Sequence, residues 1–128
     1  MPVTTPVKTL TAADFEATIL ANPIVLVDFW AARCGPCRAF APVFEKSAQD
    51  HAEIVHANVD TDAERELAAT VGIRSIPTIL AFREGILVYS QAGAMRPAVL
   101  EDLIGQIKGL DMAKVRAKIA QRKAAATA

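Results

Sequence analysis

The two cysteines of this 128-residue chain are Cys34 and Cys37, and Gly35-Pro36 between them makes a Cys-x-x-Cys unit. Thiolates are the nucleophiles of disulfide exchange, and a helix N-terminus favours a thiolate through its unpaired amides and the positive end of its dipole. Phe40, Val43, Phe44 and Ala48 follow at helical spacing, which predicts a helix starting near Cys34 and kinked at Pro42. Cys34 then stands at the helix start. Cys37, one turn on, is placed to attack a mixed disulfide formed by Cys34 and so release a reduced product. Gly35-Pro36 suits a tight turn into the helix, and the proline removes an amide that would otherwise lack a partner. A bridge across so short a loop adds little by loop-closure entropy, so chemistry accounts for the pair better than stapling does.

Asp28 is the next candidate, because it interrupts the otherwise apolar run Ile24-Val-Leu-Val-Asp-Phe-Trp30. An acid inside such a strand is costly, so it should either work or carry a raised pKa; the plainer alternative is an Asp hydrogen-bonded at a strand end. A metal reading also fits the spacing, since Cys34, Cys37, His51 and His56 match a two-cysteine, two-histidine zinc site. Against it, the interval from Cys37 to His51 reads as a helix of about 19 Å, which carries His51 away from the cysteines. His56 falls on a separate predicted strand, and a domain of this size needs no metal to fold.

The elements that must position these residues follow from periodicity. Thr11 and Asp14 resemble a capping box ahead of Phe15, Ile19 and Leu20, predicting a helix over about 12–21 that ends before Asn22-Pro23. Ile24–Trp30 reads as a central strand covered on both faces. Ile54–Asp60 reads as a strand, and Asp62 as the cap of a helix reaching Val71. Thr78–Phe82 and Ile86–Ser90 flank a turn at Glu84-Gly85, Gly93 closes the hairpin, and Pro97 opens a helix with the apolar face Leu100, Leu103, Ile104 and Ile107. With a short strand at Val7–Leu10 the sheet has five strands, and without it four. Strands alternating with helices predict an α/β fold: a central mixed sheet with helices on both faces and an antiparallel hairpin at one edge.

Fourteen Lys and Arg balance fourteen Asp and Glu, and 52% of residues are hydrophobic, which describes one globular domain rather than a disordered or fibrous chain. Zero net charge supplies no field for a polyanion, so nucleic acid is not expected as a partner. No run approaches the roughly 20 apolar residues of a membrane helix. Met1–Pro6 lacks the pattern of a secretory signal, and two cysteines do not make a disulfide-dense secreted scaffold. From Leu110 the composition turns to Ala, Lys and Arg. This tail has five bases and one acid, net +4, whereas residues 1–109, with nine bases and thirteen acids, are net −4. We divide the chain accordingly into a domain at 1–109 and a basic, partly helical extension at 110–128, either solvated or an arm for an acidic partner.

Val27-Asp-Phe-Trp30, Cys34-Gly-Pro-Cys37 and Ile76-Pro-Thr78, with Gly85 and Gly93 at matching distances, resemble the thioredoxin family over roughly residues 8–109. The resemblance implies the thioredoxin fold and a thiol-disulfide oxidoreductase that reduces protein disulfides. It assigns Cys34 as attacking thiolate, Cys37 as buried resolving thiol, and Asp28 as the acid exchanging a proton with Cys37. Pro77 would be the cis-proline, Ile76 would pair with the substrate backbone, Trp30 would shield the site, and Gly93 would leave room for substrate beside Gly35 and Pro36. It also implies no cofactor beyond the Cys34–Cys37 disulfide, an NADPH-dependent thioredoxin reductase as electron donor, and disulfide-containing client proteins. A cytoplasmic monomer is expected, with no membrane partner.

Two positions depart from the family pattern. Arg33 stands where a tryptophan usually precedes the first cysteine, which removes aromatic contact surface and adds a cation beside Cys34. His56 stands where many members carry a lysine near the buried aspartate. The alternatives at this point are a binding or chaperone-like module with little turnover, and an oxidase or isomerase on the same fold.

Overall fold

The computed structural model describes residues 6–127; Met1–Thr5, where the sequence shows no secretory pattern, lies outside the described residues. In chain order the elements are β1 (Lys8–Thr9), α1 (Phe15–Ala21), β2 (Ile24–Trp30), α2 (Gly35–Asp50), β3 (Val55–Asp60), α3 (Arg65–Thr70), β4 (Thr78–Arg83), β5 (Ile86–Ala92), α4 (Pro97–Lys108) and α5 (Met112–Thr127). The five strands form one sheet in the order β1-β3-β2-β4-β5. β3 runs parallel to β1 and β2, while β4 is antiparallel to β2 and β5. The expected mixed α/β sheet is therefore present with five strands, the Val7–Leu10 segment supplying a two-residue edge strand.

β2 lies at the centre because both its faces are apolar. Val25, Val27 and Phe29 pack with Phe15 and Ile19 of α1 on one face, and Leu26 packs with Phe40 and Phe44 of α2 and Leu100 and Ile104 of α4 on the other. The period of two along the strand sends Asp28 to the face that α2 covers. The β4–β5 turn has Glu84 at φ 54° and Gly85 at φ 78°, the left-handed pair that a two-residue hairpin favours.

Two local expectations need correcting. Regular helix α1 begins at Phe15, not 12. The Thr11 amide donates to Asp14 Oδ1 at 2.7 Å, so the carboxylate half of the capping motif forms while residues 12–14 remain a turn. Asp62 does not cap α3, whose N-cap position is Glu64. The carboxylate that gathers the turn amides is Asp60, whose Oδ1 accepts from Asp62 N (2.9 Å) and Ala63 N (3.3 Å), because it stands at the strand end facing them. The tail is helical over 112–127. Met112 is buried, and Arg83 Nη1 donates to the carbonyls of Ile107 (2.8 Å), Lys108 (3.2 Å) and Leu110 (2.9 Å), tying the end of α4 and the start of the tail to the sheet.

Candidate active site

Cys34 is the N-cap residue of α2, with Gly35 and Pro36 as the first helical residues. Its sulfur accepts the Cys37 amide at 3.2 Å, so a free amide of the helix start points at this sulfur as the sequence predicts. Cys34 and Cys37 are joined as a disulfide with their Cα atoms 5.2 Å apart. The two sulfurs are not equivalent: Cys34 is half-buried, and Cys37 is 2% exposed. An incoming thiol or disulfide can reach only the first.

The loop before β4 faces the pair. The Ile76–Pro77 peptide is cis, and Ile76 O lies 3.8 Å from Cys34 Sγ. Pro77 O accepts the Gly93 amide at 2.8 Å and Ser75 O accepts Thr78 Oγ1 at 2.7 Å, which fixes the loop against the end of β5. Gly93 has φ 98°, so its backbone alone requires glycine, and a Cβ there would meet nothing within 4 Å. Gly35 likewise has open space around it.

Asp28 sits on the α2 face of β2 and is 4% exposed. Burial pushes its carboxyl up from 3.8 to about 7, and Oδ1 has no hydrogen-bond partner among the described residues. The strand-end alternative fails, since Asp28 pairs in register with both Asn58 and Ile79 well inside the sheet. Trp30 is half-buried at the end of the same face, and its carbonyl accepts Thr61 N (2.9 Å) and Thr61 Oγ1 (3.1 Å). The sequence reading overlooked Asn58, whose Oδ1 is also buried and unpartnered among the described residues. Its signal was available: Asn58 shares the period-two face of β3 with His56 and so lies beside Asp28 once the strands pair in parallel.

The zinc candidates are not brought together. His51 caps the far end of the 16-residue α2 and bonds Glu101 at 2.8 Å through Nε2. His56 is 1% exposed, with Nε2 2.9 Å from Ser47 Oγ and Nδ1 3.0 Å from Ile54 O. Its partners are thus Ser47 and Ile54, not Asp28, and burial lowers its pKa from 6.5. Arg33 extends from the loop before α2 to Asp62, Nη2 3.3 Å from Oδ1, with both side chains largely in solvent.

A family profile described as Thioredoxin matches residues 6–107. The chain is 47% identical over 117 residues to "Putative thioredoxin 2" of Streptomyces coelicolor, covering 91% of this chain and 87% of that protein. It is 41% identical over 100 residues to a thioredoxin of Alicyclobacillus acidocaldarius, covering 77% and 95%. Among solved structures, Plasmodium falciparum thioredoxin superposes with TM-score 0.73 at 35% identity, covering 78% of this chain and 98% of that one. A mutant thioredoxin from Halobacterium salinarum superposes with TM-score 0.76 at 28% identity, covering 86% and 98%.

Proposed function

The chain belongs to the thioredoxin family and is a thiol-disulfide oxidoreductase, and from that premise we propose that Cys34 attacks client disulfides, Cys37 resolves them and Asp28 carries the proton. The observation that carries this assignment is the asymmetry of the pair, a half-buried sulfur capped by an amide beside one that is 2% exposed. In the reduced protein the Cys34 thiolate attacks one sulfur of the client disulfide. An S–S bond forms between protein and client, and the other client sulfur leaves as a thiolate that takes a proton from water. The Cys37 thiol then gives its proton to the Asp28 carboxylate and attacks Cys34 Sγ. The internal disulfide forms, the second client thiolate leaves, and two electrons have passed from the protein to the client.

A pKa of about 7 leaves Asp28 able to accept a proton and return it near neutral pH. We assign Trp30 to shielding the pair and the exposed or half-buried Gly35, Pro36, Ile76 and Gly93 to the surface on which a client chain lies, with the buried Pro77 shaping the loop that carries Ile76. Members of the family need no cofactor beyond the cysteine pair. We take the electron donor to be an NADPH-dependent thioredoxin reductase and the clients to be disulfide-containing proteins, with the protein acting as a monomer in the cytoplasm. No helix among the described residues is long and apolar enough to cross a membrane. We take residues 1–109 as the exchange unit and 110–128 as an appended basic helix, a division supported by the end of the family match at 107.

The test is trapping. Cys37→Ser should accumulate mixed disulfides with client proteins through Cys34, and Cys34→Ser should accumulate none. Failure of Cys37→Ser to trap would favour a binding module without turnover. A midpoint potential near about −270 mV, the value of thioredoxin itself, agrees with a reductase, whereas one above about −200 mV would make the protein an oxidant or isomerase.

A further inference from the structure

Beside the reactive sulfur lies a cavity of about 190 Å³ lined by Arg33, Thr61, Ala68 and the run Ile73–Ile76, which includes Arg74. Ile76 is the residue whose carbonyl faces Cys34 Sγ at 3.8 Å, so the cavity adjoins the point of attack. Ala68, Ile73 and Ile76 supply its apolar lining, Thr61 and Ser75 its hydroxyls, and the charged side chains among its lining residues are two guanidinium groups, with no carboxylate. We propose that this cavity selects clients carrying an acidic side chain within about three residues of the reactive cysteine, the carboxylate binding between Arg33 and Arg74. The proposal rests on the reading of Cys34 as the attacking sulfur.

Charge complementarity is the argument for this occupant. Arg33 is engaged by Asp62 through a single contact of 3.3 Å, and the two side chains are 72% and 45% exposed. Such a pair holds the guanidinium loosely and leaves four of its five N–H donors open. Asp62 therefore positions the arm without filling it. Arg74 is exposed and makes no ion pair among the described residues. A third cation braces the same loop, since Arg38 Nη1 donates to Ala32 O at 2.7 Å, immediately before Arg33. Even with Asp60 and Asp62, which flank Thr61, set against Arg33, Arg38 and Arg74, the surroundings of the cavity are not acidic, whereas residues 1–109 as a whole are net −4. A tryptophan at position 33 would offer a client aromatic area; Arg33 offers a carboxylate site. A client running extended past Ile76 advances about 3.4 Å per residue, which brings the side chains flanking its cysteine over the cavity.

The experiment uses the full chain, pre-reduced and in excess, in single turnover against short peptides whose one cysteine is disulfide-linked to a reporter thiol. The residues on either side of that cysteine are Glu, Gln or Lys. At low salt the Glu peptide should react about tenfold faster than the Gln peptide, with the Lys peptide slower still; tenfold is about 1.4 kcal/mol, the size of two exposed charge contacts. The Glu-to-Gln ratio should shrink several-fold at about 0.5 M salt, where screening is strong. It should fall towards one in Arg33→Gln/Arg74→Gln and invert in favour of the Lys peptide in Arg33→Glu/Arg74→Glu. Equal rates for the Glu and Gln peptides, or a ratio untouched by the paired substitutions, would overturn the acidic preference while leaving the exchange chemistry standing. A reduced protein that reacted with none of the peptides would overturn the reading of Cys34, and this proposal with it.

Discussion

Replacing Asp28 by Asn should make the protein more stable relative to the parent as pH rises, and the structure sets how much. Burial carries the carboxyl from 3.8 to about 7. At about 1.4 kcal/mol per tenfold in proton affinity, that corresponds to about 4 kcal/mol between the two states of the side chain. Between these values the folded protein keeps a proton that the unfolded chain has released, so each step up in pH favours the unfolded chain until the folded carboxyl also ionises. The penalty is absent below about pH 4, grows through the window and is complete above about pH 7. Asn removes the titration but leaves an amide short of partners, a cost of about 1–3 kcal/mol that does not vary with pH. The informative quantity is therefore the difference between variant and parent, measured by urea unfolding of the oxidised proteins, in which neither cysteine titrates. From about pH 4.5 to about pH 8.5 this difference should move in favour of Asp28→Asn by about 3–4 kcal/mol, with most of the change below pH 7. Other titrating groups, His56 included, cancel in the subtraction. A difference flat to within about 1 kcal/mol would refute the raised pKa and remove the reason for giving Asp28 the proton.

His56 predicts the opposite limb. Buried and neutral, it is protonated more readily in the unfolded chain than in the folded one, so the stability it contributes is present above 6.5 and is lost as pH falls through its lowered folded value. His56→Gln should flatten that acid-side decline in urea titrations, and an unchanged slope would show that His56 is not its source. Arg83→Met should cost about 2 kcal/mol in chemical denaturation, because three backbone carbonyls lose a charged donor, and should speed proteolysis near residue 110; a variant matching the parent in both would mean that α5 is held by other contacts. Gly85→Ala should destabilise by about 1–2 kcal/mol, since φ is 78° and the new Cβ would lie 3.0 Å from Leu20 Cδ2, and a neutral result would mean that the turn relaxes.

Much of the fold was legible because its signals are local. The continuous apolar run of β2, the helical spacing of Phe40 and Phe44 and the Glu84-Gly85 turn each act over a few residues, and each element formed within about three residues of its expected bounds. The errors came where several short polar side chains compete for the same amides. Asp60 and Asp62 are equivalent to a pattern, yet only Asp60 stands at the strand end facing the turn, which frees Asp62 for Arg33. The sparse apolar positions of the tail do not show how it is held, because the Arg83 contacts that anchor its start to the sheet come from a segment far away in sequence.

Taken alone, the sequence determined that one cysteine would open a helix with the second one turn on, since spacing and capping are properties of adjacent residues. It also marked Asp28 as anomalous, without stating the size of the anomaly. Only the tertiary structure decided that Ile76, 42 residues away, faces Cys34, that Asn58 lies beside Asp28, and that Arg33 and Arg74 line one cavity. These depend on β2 being flanked by β3 on one side and β4 on the other, and on how far each side chain is removed from water. Strand order and burial belong to the packed whole, and no short stretch of chain contains them.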